Sequence, residues 1–509
     1  MRFRAAPFFV LMLVASGLFA ANAGPASAVV ACSVPSMLFP TIQSAVNNPL
    51  CDPINVAAGT YNEQVTISRT LTLNGAQVGV DARTRSGPES IITNSCGPVQ
   101  IEADNVKIDG FTIEGSTDPD PCFLAGIWTN PGFSGTQGGH TIVNNIVQNN
   151  ISGIELDSTC AAAPTLVQHN LIRNNNNPGP GSGNAIQTNF GLCNATIDSN
   201  KFSGHTNSSL LVFGSSSGLH FTNNELVGGT SERVVLFGVS DSTITGNTSI
   251  GSTASGTIGL LGGNSGITIL NNVLANGTRG IRVQDPFGVG PNSGVTAHAN
   301  CISGNATAGL EENTGGYTPV ATGSLDATNN WWGSPSGPTI ASNPGGTGDK
   351  IIDQDGVVAY NPWLTSQPAA PCPVSFTKLA SGSFVIGDQN AAVGSSVTFW
   401  GAQWSGTNTK WWTTNTVSGG SPRSFKGFAD NTAANPPPCG QNWSTRPGNS
   451  SSPPASVPQY MAVIVSSAIG MSGSTITGNT VHVVVVKTNP GYAPDPGHRG
   501  TGTVVGVVC

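Results

Sequence analysis

The chain has 509 residues, of which 66 are glycine, 35 are proline and only 9% are charged. This composition is typical of turn-rich β structure and argues against a helical protein. The net charge of -7 argues against a basic surface for nucleic acid. At this length the chain can form two domains with buried cores.

The N-terminus has the features of a secretory signal peptide over residues 1–28. Arg2 and Arg4 precede an apolar stretch at residues 8–19, and small residues follow up to position 28. We expect cleavage near Val29, with residues 21–23 as an alternative site. No later apolar stretch is long enough to span a bilayer, so the mature protein is expected to be exported and soluble, without a membrane span.

Helical spacing follows in one short segment. Residues 41–47 place Ile42, Ala45 and Val46 on one face, which predicts a short amphipathic helix. Such a helix would cover the open end of the β structure that comes next and prevent other chains from pairing with its edge. Strand-like alternation then begins at residues 54–56, 59–67, 71–75 and 106–113.

An asparagine recurs through the middle of the chain within a short phrase such as Ile-Val-Asn-Asn. The recurring residues are Asn145, Asn170, Asn200, Asn224, Asn247, Asn272, Asn300 and Asn330. Their separations of 23 to 30 residues indicate a solenoid, and the short alternating runs between them are strands. Parallel coils stacked about 4.8 Å apart would align these residues as an internal ladder, because asparagine tolerates a left-handed corner and its amide both donates and accepts. Gly75 and Gly110 are expected at the same place in earlier coils.

All ten cysteines follow the predicted signal peptide. An even number of cysteines in an exported chain favours disulfides, and the absence of CxxC or HxxxH spacing argues against a metal site. Cys160 and Cys193 fall at the same corner of adjacent coils, which predicts a disulfide between them. Pairing of neighbours is also expected: Cys32 with Cys51, Cys96 with Cys122, Cys301 with Cys372, and Cys439 with Cys509.

Two pairs of phrases connect this region to a known family. Residues 41–46 (TIQSAV) are followed by residues 59–67 (GTYNEQVTI), and residues 329–338 (NNWWGSPSGP) are followed by residues 360–364 (YNPWL). The segment from about residue 36 to 370 thereby resembles the pectin-lyase-like right-handed parallel β-helix superfamily, in its carbohydrate-binding and sugar-hydrolysis branch. The resemblance implies an all-β solenoid with an N-terminal helical cap over residues 29–367. It implies no single chemistry, because the branch includes lyases, hydrolases, esterases, epimerases and proteins without catalysis.

Beyond a predicted linker at residues 368–373 the asparagine phrase stops. Residues 374–509 contain strand-like runs at 397–400, 461–465, 481–486 and 504–508, which predict a small β-sandwich or barrel of unknown role. Four tryptophans cluster there: Trp400, Trp404, Trp411 and Trp412. They either stack on sugars or, as large aromatic residues usually do, pack in a core.

Chemistry on a β-helix requires polar side chains that project outward from neighbouring coils. The outward positions of the second strand in each coil are Glu155 with Asp157, Gln187 with Asn189, apolar residues around Leu211 and Leu236, Gly259, Arg282 with Gln284 and Asp285, and Glu311 with Asn313. The polar residues form two groups. Glu155 and Arg282 are five coils apart, about 24 Å, which is too far for one reacting centre.

Glu155 and Asp157 are the candidate catalytic residues of the first group. Two residues along a strand face separate them by about 7 Å, within the range for a glycoside hydrolase. Gln187 and Asn189 flank them one coil on, as candidate substrate-binding residues. A solvated polar face without a task is the alternative interpretation.

Arg282 and Glu311 are the candidate substrate-binding residues of the second group. A cross-strand ion pair, worth a fraction of a kcal/mol, is the alternative. Neither group matches the aspartate clusters of the superfamily's calcium lyases and pectin hydrolases, or the Gln/Asp/Asp/Arg set of its esterases.

Metal binding has little support. Asp349, Asp353 and Asp355 precede Gly356 as in a calcium loop, but the terminal glutamate of an EF-hand is missing. We therefore predict a surface turn there and no metal or cofactor, with calcium left open as an alternative that no motif supports. The histidines form no recognisable catalytic triad.

These features lead to two functional hypotheses. In the first, a secreted β-helix protein binds an extracellular polysaccharide or a cell-surface glycan. Whether it also cleaves that glycan, as a polysaccharide lyase or a glycoside hydrolase, stays open. In the second, a non-catalytic cell-surface or matrix protein uses the β-helix as a rigid scaffold and residues 374–509 as the contact module. Neither hypothesis involves a nucleic-acid partner, and the oligomeric state does not follow from the sequence.

Overall fold

The computed structural model describes residues 29–366, with gaps at 121, 123, 130–136, 228–232 and 320–322, together with residue 368 and separate strands between residues 385 and 507. The predicted signal peptide lies outside the described residues, as does most of the predicted linker. Residues 29–366 form three parallel β-sheets, each of which is built from strands of successive coils of the chain. No helix in the described part of the chain is long and apolar enough to cross a membrane.

The strands of each sheet follow one another in chain order, except that Pro338–Thr339 lies beyond Gly348–Asp353 at the end of the third sheet. The first sheet contains Val30–Val34, Cys51–Val56, Thr72–Asn74, Lys107–Asp109, Thr141–Val143, Thr165–Gln168, Ala195–Asp198, His220–Thr222, Val239–Thr245, Ser265–Leu270, Thr296–His298, Leu325–Asp326 and Val358–Ala359, with Ser216–Ser217 beside Val239–Thr245. The second sheet contains Gly59–Asn62, Ser90–Thr93, Phe111–Glu114, Ile146–Gln148, Leu171–Arg173, Lys201–Ser203, Glu225–Val227, Thr248–Ile250, Val273–Ala275 and Cys301–Ser303. The third sheet contains Val65–Ile67, Val99–Ile101, Ala125–Thr129, Ser152–Leu156, Asn184–Gln187, Ser208–Val212, Val234–Leu236, Ile258–Leu260, Arg279–Val283, Ala308–Glu312, Gly348–Asp353 and Pro338–Thr339.

Alternation of apolar and polar residues explains why such short segments are strands. In the first sheet Ile142, Val167 and Ile197 are in register on successive strands and are fully buried, whereas their neighbour Thr141 is partly exposed. Burial of one such side chain contributes about 1.5–3 kcal/mol. Because each coil adds a residue to the same column, the core continues along the length of the solenoid.

The predicted asparagine ladder is confirmed, and its eight side chains are at most 2% exposed. The backbone N–H of Asn200 donates to Oδ1 of Asn224 at 2.9 Å, and Nδ2 of Asn200 donates to the carbonyl of Val167 at 2.9 Å. Each asparagine therefore joins the coil before it to the coil after it. These bonds keep buried backbone groups at the corner paired, which a solvent-free corner requires.

The left-handed conformation falls on a different residue from the one expected. Asn144 and Asn223, each directly before a ladder asparagine, have φ angles of 56° and 53°. Strand register places Gly75 and Gly110 opposite Asn144, so Phe111 holds the ladder position in its coil. The expectation that these glycines replace the ladder asparagine is therefore wrong. The corner residue has to turn the chain between two strands, whereas the ladder residue has to point into the stack.

A second ladder runs along another corner and was not foreseen. The backbone N–H of Asn150 donates to Oδ1 of Asn175 at 3.1 Å, and that of Asn305 donates to Oδ2 of Asp349 at 3.1 Å. Between them the ladder includes other residue types, such as His205, whose Nε2 lies 3.4 Å from Nδ2 of Asn175. Burial raises the pKa of Asp349 to about 6.

The predicted helical cap is present as the helix Ile42–Val46, which begins with a capping box at Thr41. The first two backbone N–H groups of the helix donate to the carboxylate of Glu63, each at 2.9 Å. The side chain of Gln43 accepts from the backbone N–H of Thr66 at 2.7 Å and donates to its carbonyl at 3.1 Å. Gln43 thus occupies the hydrogen-bonding groups of the first strand of the third sheet, which would otherwise form an open edge.

Three of the predicted disulfides are confirmed, including the one between adjacent coils. They join Cys160 to Cys193, Cys32 to Cys51, and Cys96 to Cys122. Cys301 is also disulfide-bonded, and its expected partner Cys372 lies outside the described residues. The pairing of Cys439 with Cys509 lies outside them as well.

The C-terminal region contains an antiparallel sheet whose backbone alone is described. In spatial order its strands are Trp412–Val417, Ser396–Gly401, Arg499–Val507, Val483–Thr488, Tyr460–Val465 and Phe425–Asp430. Two short pairings accompany it: Val385–Ile386 with Thr480–Val481, and Gly470–Ser472 with Thr475–Thr477. The four predicted runs of strand are found here, while the sandwich or barrel and the environment of the clustered tryptophans stay predictions.

Candidate functional site

The outward residues of the third sheet form one column in register. The column contains Glu155, Gln187, Leu211, Val235, Gly259, Arg282 and Glu311. Five strand-to-strand steps separate Glu155 from Arg282, as predicted, which corresponds to about 24 Å. The apolar position next to Leu211 is Val235, whereas Leu236 points inward and is fully buried.

The acidic group brings its four predicted residues into contact. Nδ2 of Asn189 donates to Oε1 of Glu155, and the backbone N–H of Asn189 donates to Oδ1 of Asp157 at 2.9 Å. Nε2 of Gln187 lies 3.5 Å from Oε2 of Glu155. Asn189 therefore links the two candidate catalytic carboxylates.

Asp157 is fully buried, although the sequence places it on the outward face. Its Oδ1 accepts from the backbone N–H groups of Asn189, Phe190 and Gly191, at 2.8 to 3.1 Å. Burial raises the pKa of Asp157 to about 6, against the effect of these three hydrogen bonds. Glu155 is only 3% exposed. The alternative interpretation, a solvated polar face, does not apply to these two residues, because the turn at residues 189–191, which follows the next strand of the sheet, folds against them.

In the basic group two arginines converge on one carboxylate. Nε of Arg282 lies 3.2 Å from Oε1 of Glu311, and Nε of Arg279 bonds Oε2 of the same residue. The amide of Asn313 completes the cluster when its nitrogen donates to Glu311 at 2.9 Å and its oxygen accepts from Arg282 at 3.2 Å. The cross-strand ion pair is present, and Arg279 is a member that the sequence did not indicate.

An apolar groove of about 870 Å³ lies on this face between the two polar groups. Its apolar lining consists of Leu211, Phe213, Val235, Phe237, Leu261, Phe287 and Val289. Among the described residues Arg233 is the charged side chain in the lining. The sequence signal that would have located the groove is the pair Phe213 and Phe237, each two residues beyond an apolar member of the outward column.

A short loop at residues 285–290 forms one side of the groove. Oδ1 of Asp285 accepts from the backbone N–H of Val289 at 2.8 Å, and its Oδ2 accepts from that of Gly290 at 2.9 Å. The ring of Phe287 packs against that of Phe237 with 5.5 Å between centroids. Phe287 is nevertheless 69% exposed and Val289 is 55% exposed, so the loop presents apolar surface to solvent.

The three aspartates of the calcium alternative bind different parts of the backbone. Asp349 accepts from Gly304 and Asn305, while Asp353 accepts from Val357 and Val358. Oδ2 of Asp355 accepts from the backbone N–H of Gly315 at 2.6 Å. Within the described ranges, no group of three or more His, Cys, Asp or Glu side chains is placed to hold a metal ion.

Comparisons with known proteins agree with the coil geometry. Residues 189–331 match a family model described as "Right handed beta helix region". Three solved structures are similar at low identity. An alginate lyase from Paenibacillus sp. str. FPU-7 is 14% identical, with 62% of this chain and 94% of that chain covered and a TM-score of 0.36. The catalytic domain of a GH87 α-1,3-glucanase in complex with nigerose is 14% identical, with 67% and 69% covered and a TM-score of 0.32. The Dettilon tailspike protein is 13% identical, with 89% and 85% covered and a TM-score of 0.32.

Among curated protein sequences, none matches this chain significantly. The parallel coils described above and the family match together give the chain the right-handed parallel β-helix fold that its sequence predicts.

Proposed function

We propose that the outward face of the third sheet binds an extracellular polysaccharide. The groove between the two polar groups is the observation that carries the proposal. Sugars present apolar C–H faces and polar hydroxyl edges, so they need aromatic or aliphatic surface beside placed hydrogen-bonding groups. Phe237 and Phe287 supply the first. Asn189 and Asn313, one on either side of the groove, supply the second, because each amide has hydrogen-bonding capacity beyond its contacts with Glu155 or with Glu311 and Arg282.

The length of the face supports a polymer rather than a single sugar. Glu155 and Glu311 lie six strand-to-strand steps apart, which corresponds to about 29 Å. A linear chain laid along the solenoid would meet the acidic group, the groove and the basic group in turn. Two of the similar structures are an alginate lyase and a glucanase in complex with nigerose.

Binding has better support than cleavage. A glycoside hydrolase presents one carboxylic acid to the glycosidic oxygen and a second carboxylate to the sugar ring or a water. Oδ1 of Asp157 is occupied by three backbone N–H groups and the residue is fully buried. Glu155, at 3% exposure, would need the neighbouring turn to move before it met a substrate.

The test is a binding screen of the full chain against soluble pectin, alginate, xylan and glucan, read by affinity electrophoresis. Phe287→Ala is the groove variant, and Leu38→Ala is its matched control, because both side chains are highly exposed, at 69% and 81%. Loss of one stacked ring should weaken binding about tenfold, while the control binds as the wild type does. The proposal is wrong if the wild type binds none of the polymers, or if the two variants bind equally. Assays for reducing ends and unsaturated products, repeated with Glu155→Ala, decide whether cleavage accompanies binding.

A further inference from the structure

Among the described residues, four polar side chains line the groove beside the seven apolar ones: Asn207, Ser208, Ser215 and Arg233. Nε of Arg233 donates to the carbonyl of Asn207 at 3.0 Å, and its two terminal nitrogens donate to Oδ1 of Asn207 at 3.1 Å and to Oγ of Ser255 at 3.2 Å. Nδ2 of Asn207 in turn donates to Oδ1 of Asn184 at 2.8 Å. Arg233 and Asn207 are therefore already paired within the protein, as is Ser208, whose Oγ lies 3.4 Å from Nε of Arg233, whereas Ser215 is exposed.

The centre of the groove is apolar. Leu211 and Val235 project from the sheet, Phe213 and Phe237 follow them at the strand ends, and Val289 closes the side. A hydroxyl buried there without a partner would lose its hydrogen bonds to water without replacement, which disfavours binding. A fully hydroxylated hexose carries such groups on most of its carbons, so it does not suit this part of the face.

A methyl group suits the same space. Each methyl or methylene transferred from water to an apolar surface contributes about 0.8 kcal/mol, or about a fourfold gain in affinity. We propose that the groove selects polysaccharides whose sugars carry methyl groups, as O-acetylated sugars and 6-deoxy sugars do; this inference rests on the proposed function. Hydroxyls of the flanking sugars would then meet Asn189 and Asn313 beyond the groove.

The loop that carries Phe287 and Val289 favours such selection. Its backbone is held at both ends of the turn by the carboxylate of Asp285, and Phe287 leans on Phe237. The apolar side wall is therefore formed before a ligand arrives, and little ordering entropy is lost on binding.

The experiment compares soluble xylan fragments that carry O-acetyl groups with the same fragments after mild alkaline deacetylation. A second arm compares a 6-deoxyhexose-rich glycan with a hexose polymer of equal length, so the two sources of methyl groups are distinguished. The full chain should bind the methyl-bearing member of at least one pair about fourfold or more tightly. Val289→Thr, nearly isosteric at a half-exposed site, should narrow that preference, whereas Phe287→Ala should weaken binding to both members.

Equal binding of both members in both arms, or tighter binding of the members without methyl groups, overturns the inference and leaves the proposed function standing. Failure to bind any glycan, in this experiment and in the screen above, overturns both. A preference that Val289→Thr leaves unchanged also contradicts the inference, because the selection would then arise elsewhere on the protein.

Discussion

Replacement of Asn224 by alanine tests the claim that the ladder holds the coils together. Its Oδ1 accepts from the backbone N–H of Asn200 at 2.9 Å, and its Nδ2 donates to the carbonyl of Ile197 at 2.8 Å and to Oδ1 of Asn247 at 3.1 Å. The residue is 1% exposed, so alanine leaves two buried backbone groups without these partners. At about 1–3 kcal/mol for each, the free energy of unfolding should fall by about 2–6 kcal/mol.

Urea unfolding followed by far-UV circular dichroism measures this loss, and hydrogen exchange locates it. Because long repeat arrays can unfold in parts, the amides of the coils on either side of Asn224 should lose protection first. Asn62→Ala, at an exposed position of a strand in the second sheet, is the control and should change stability by no more than about 0.5 kcal/mol. If Asn224→Ala costs no more than the control, the ladder does not stabilise the fold and the reasoning is refuted.

Two further predictions concern a corner and the candidate site. Ala299 has a φ of 52°, a conformation that costs an alanine about 1–2 kcal/mol. Ala299→Gly should therefore raise the free energy of unfolding in urea by up to about 1 kcal/mol after the entropy of glycine is counted, whereas Ala297→Gly in the adjacent strand should lower it. Burial raises the pKa of Asp157 from 3.8 to about 6, so the folded protein binds this proton more tightly than the unfolded chain does. That contribution to stability is present below the unfolded pKa and is lost as the pH rises through about 6. Asp157→Asn removes this contribution. The free energy of unfolding of the variant, minus that of the wild type, should therefore increase as the pH rises through about 6. A difference that does not vary with pH would contradict the raised pKa of Asp157.

The sequence predicts the solenoid well because its signal is local and repeated. One inward asparagine in each coil, in a fixed phrase, is enough to identify the coils, to separate Glu155 from Arg282 by five strand-to-strand steps and to pair Cys160 with Cys193. The second ladder was not predicted, since Asn175, His205 and Asp349 fulfil one structural role with three residue types. A sequence shows that the same residue type recurs, but it does not show that different residue types supply the same hydrogen bonds.

The groove could not be derived from the sequence in the same way. Phe237 and Phe287 are 50 positions apart in the sequence, and they meet because the loop at residues 285–290 folds back across the coils. The burial of Asp157 likewise depends on a turn that belongs to the next coil. Alternation along one strand shows which residues face outward, but loop conformation decides how much of each residue reaches solvent.

Two of the carboxylates on this face, those of Asp157 and Asp285, bind backbone N–H groups of turns. Asp157 accepts from the N–H groups of the turn that carries Phe190, and Asp285 accepts from those of the loop that carries Phe287. Both phenylalanines are more than half exposed, at 53% and 69%. Each acidic residue thereby fixes a turn that presents an aromatic ring to solvent. A face whose carboxylates position apolar side chains is suited to recognise the surface of a ligand, and this geometry supports the proposed binding of a glycan more than its cleavage.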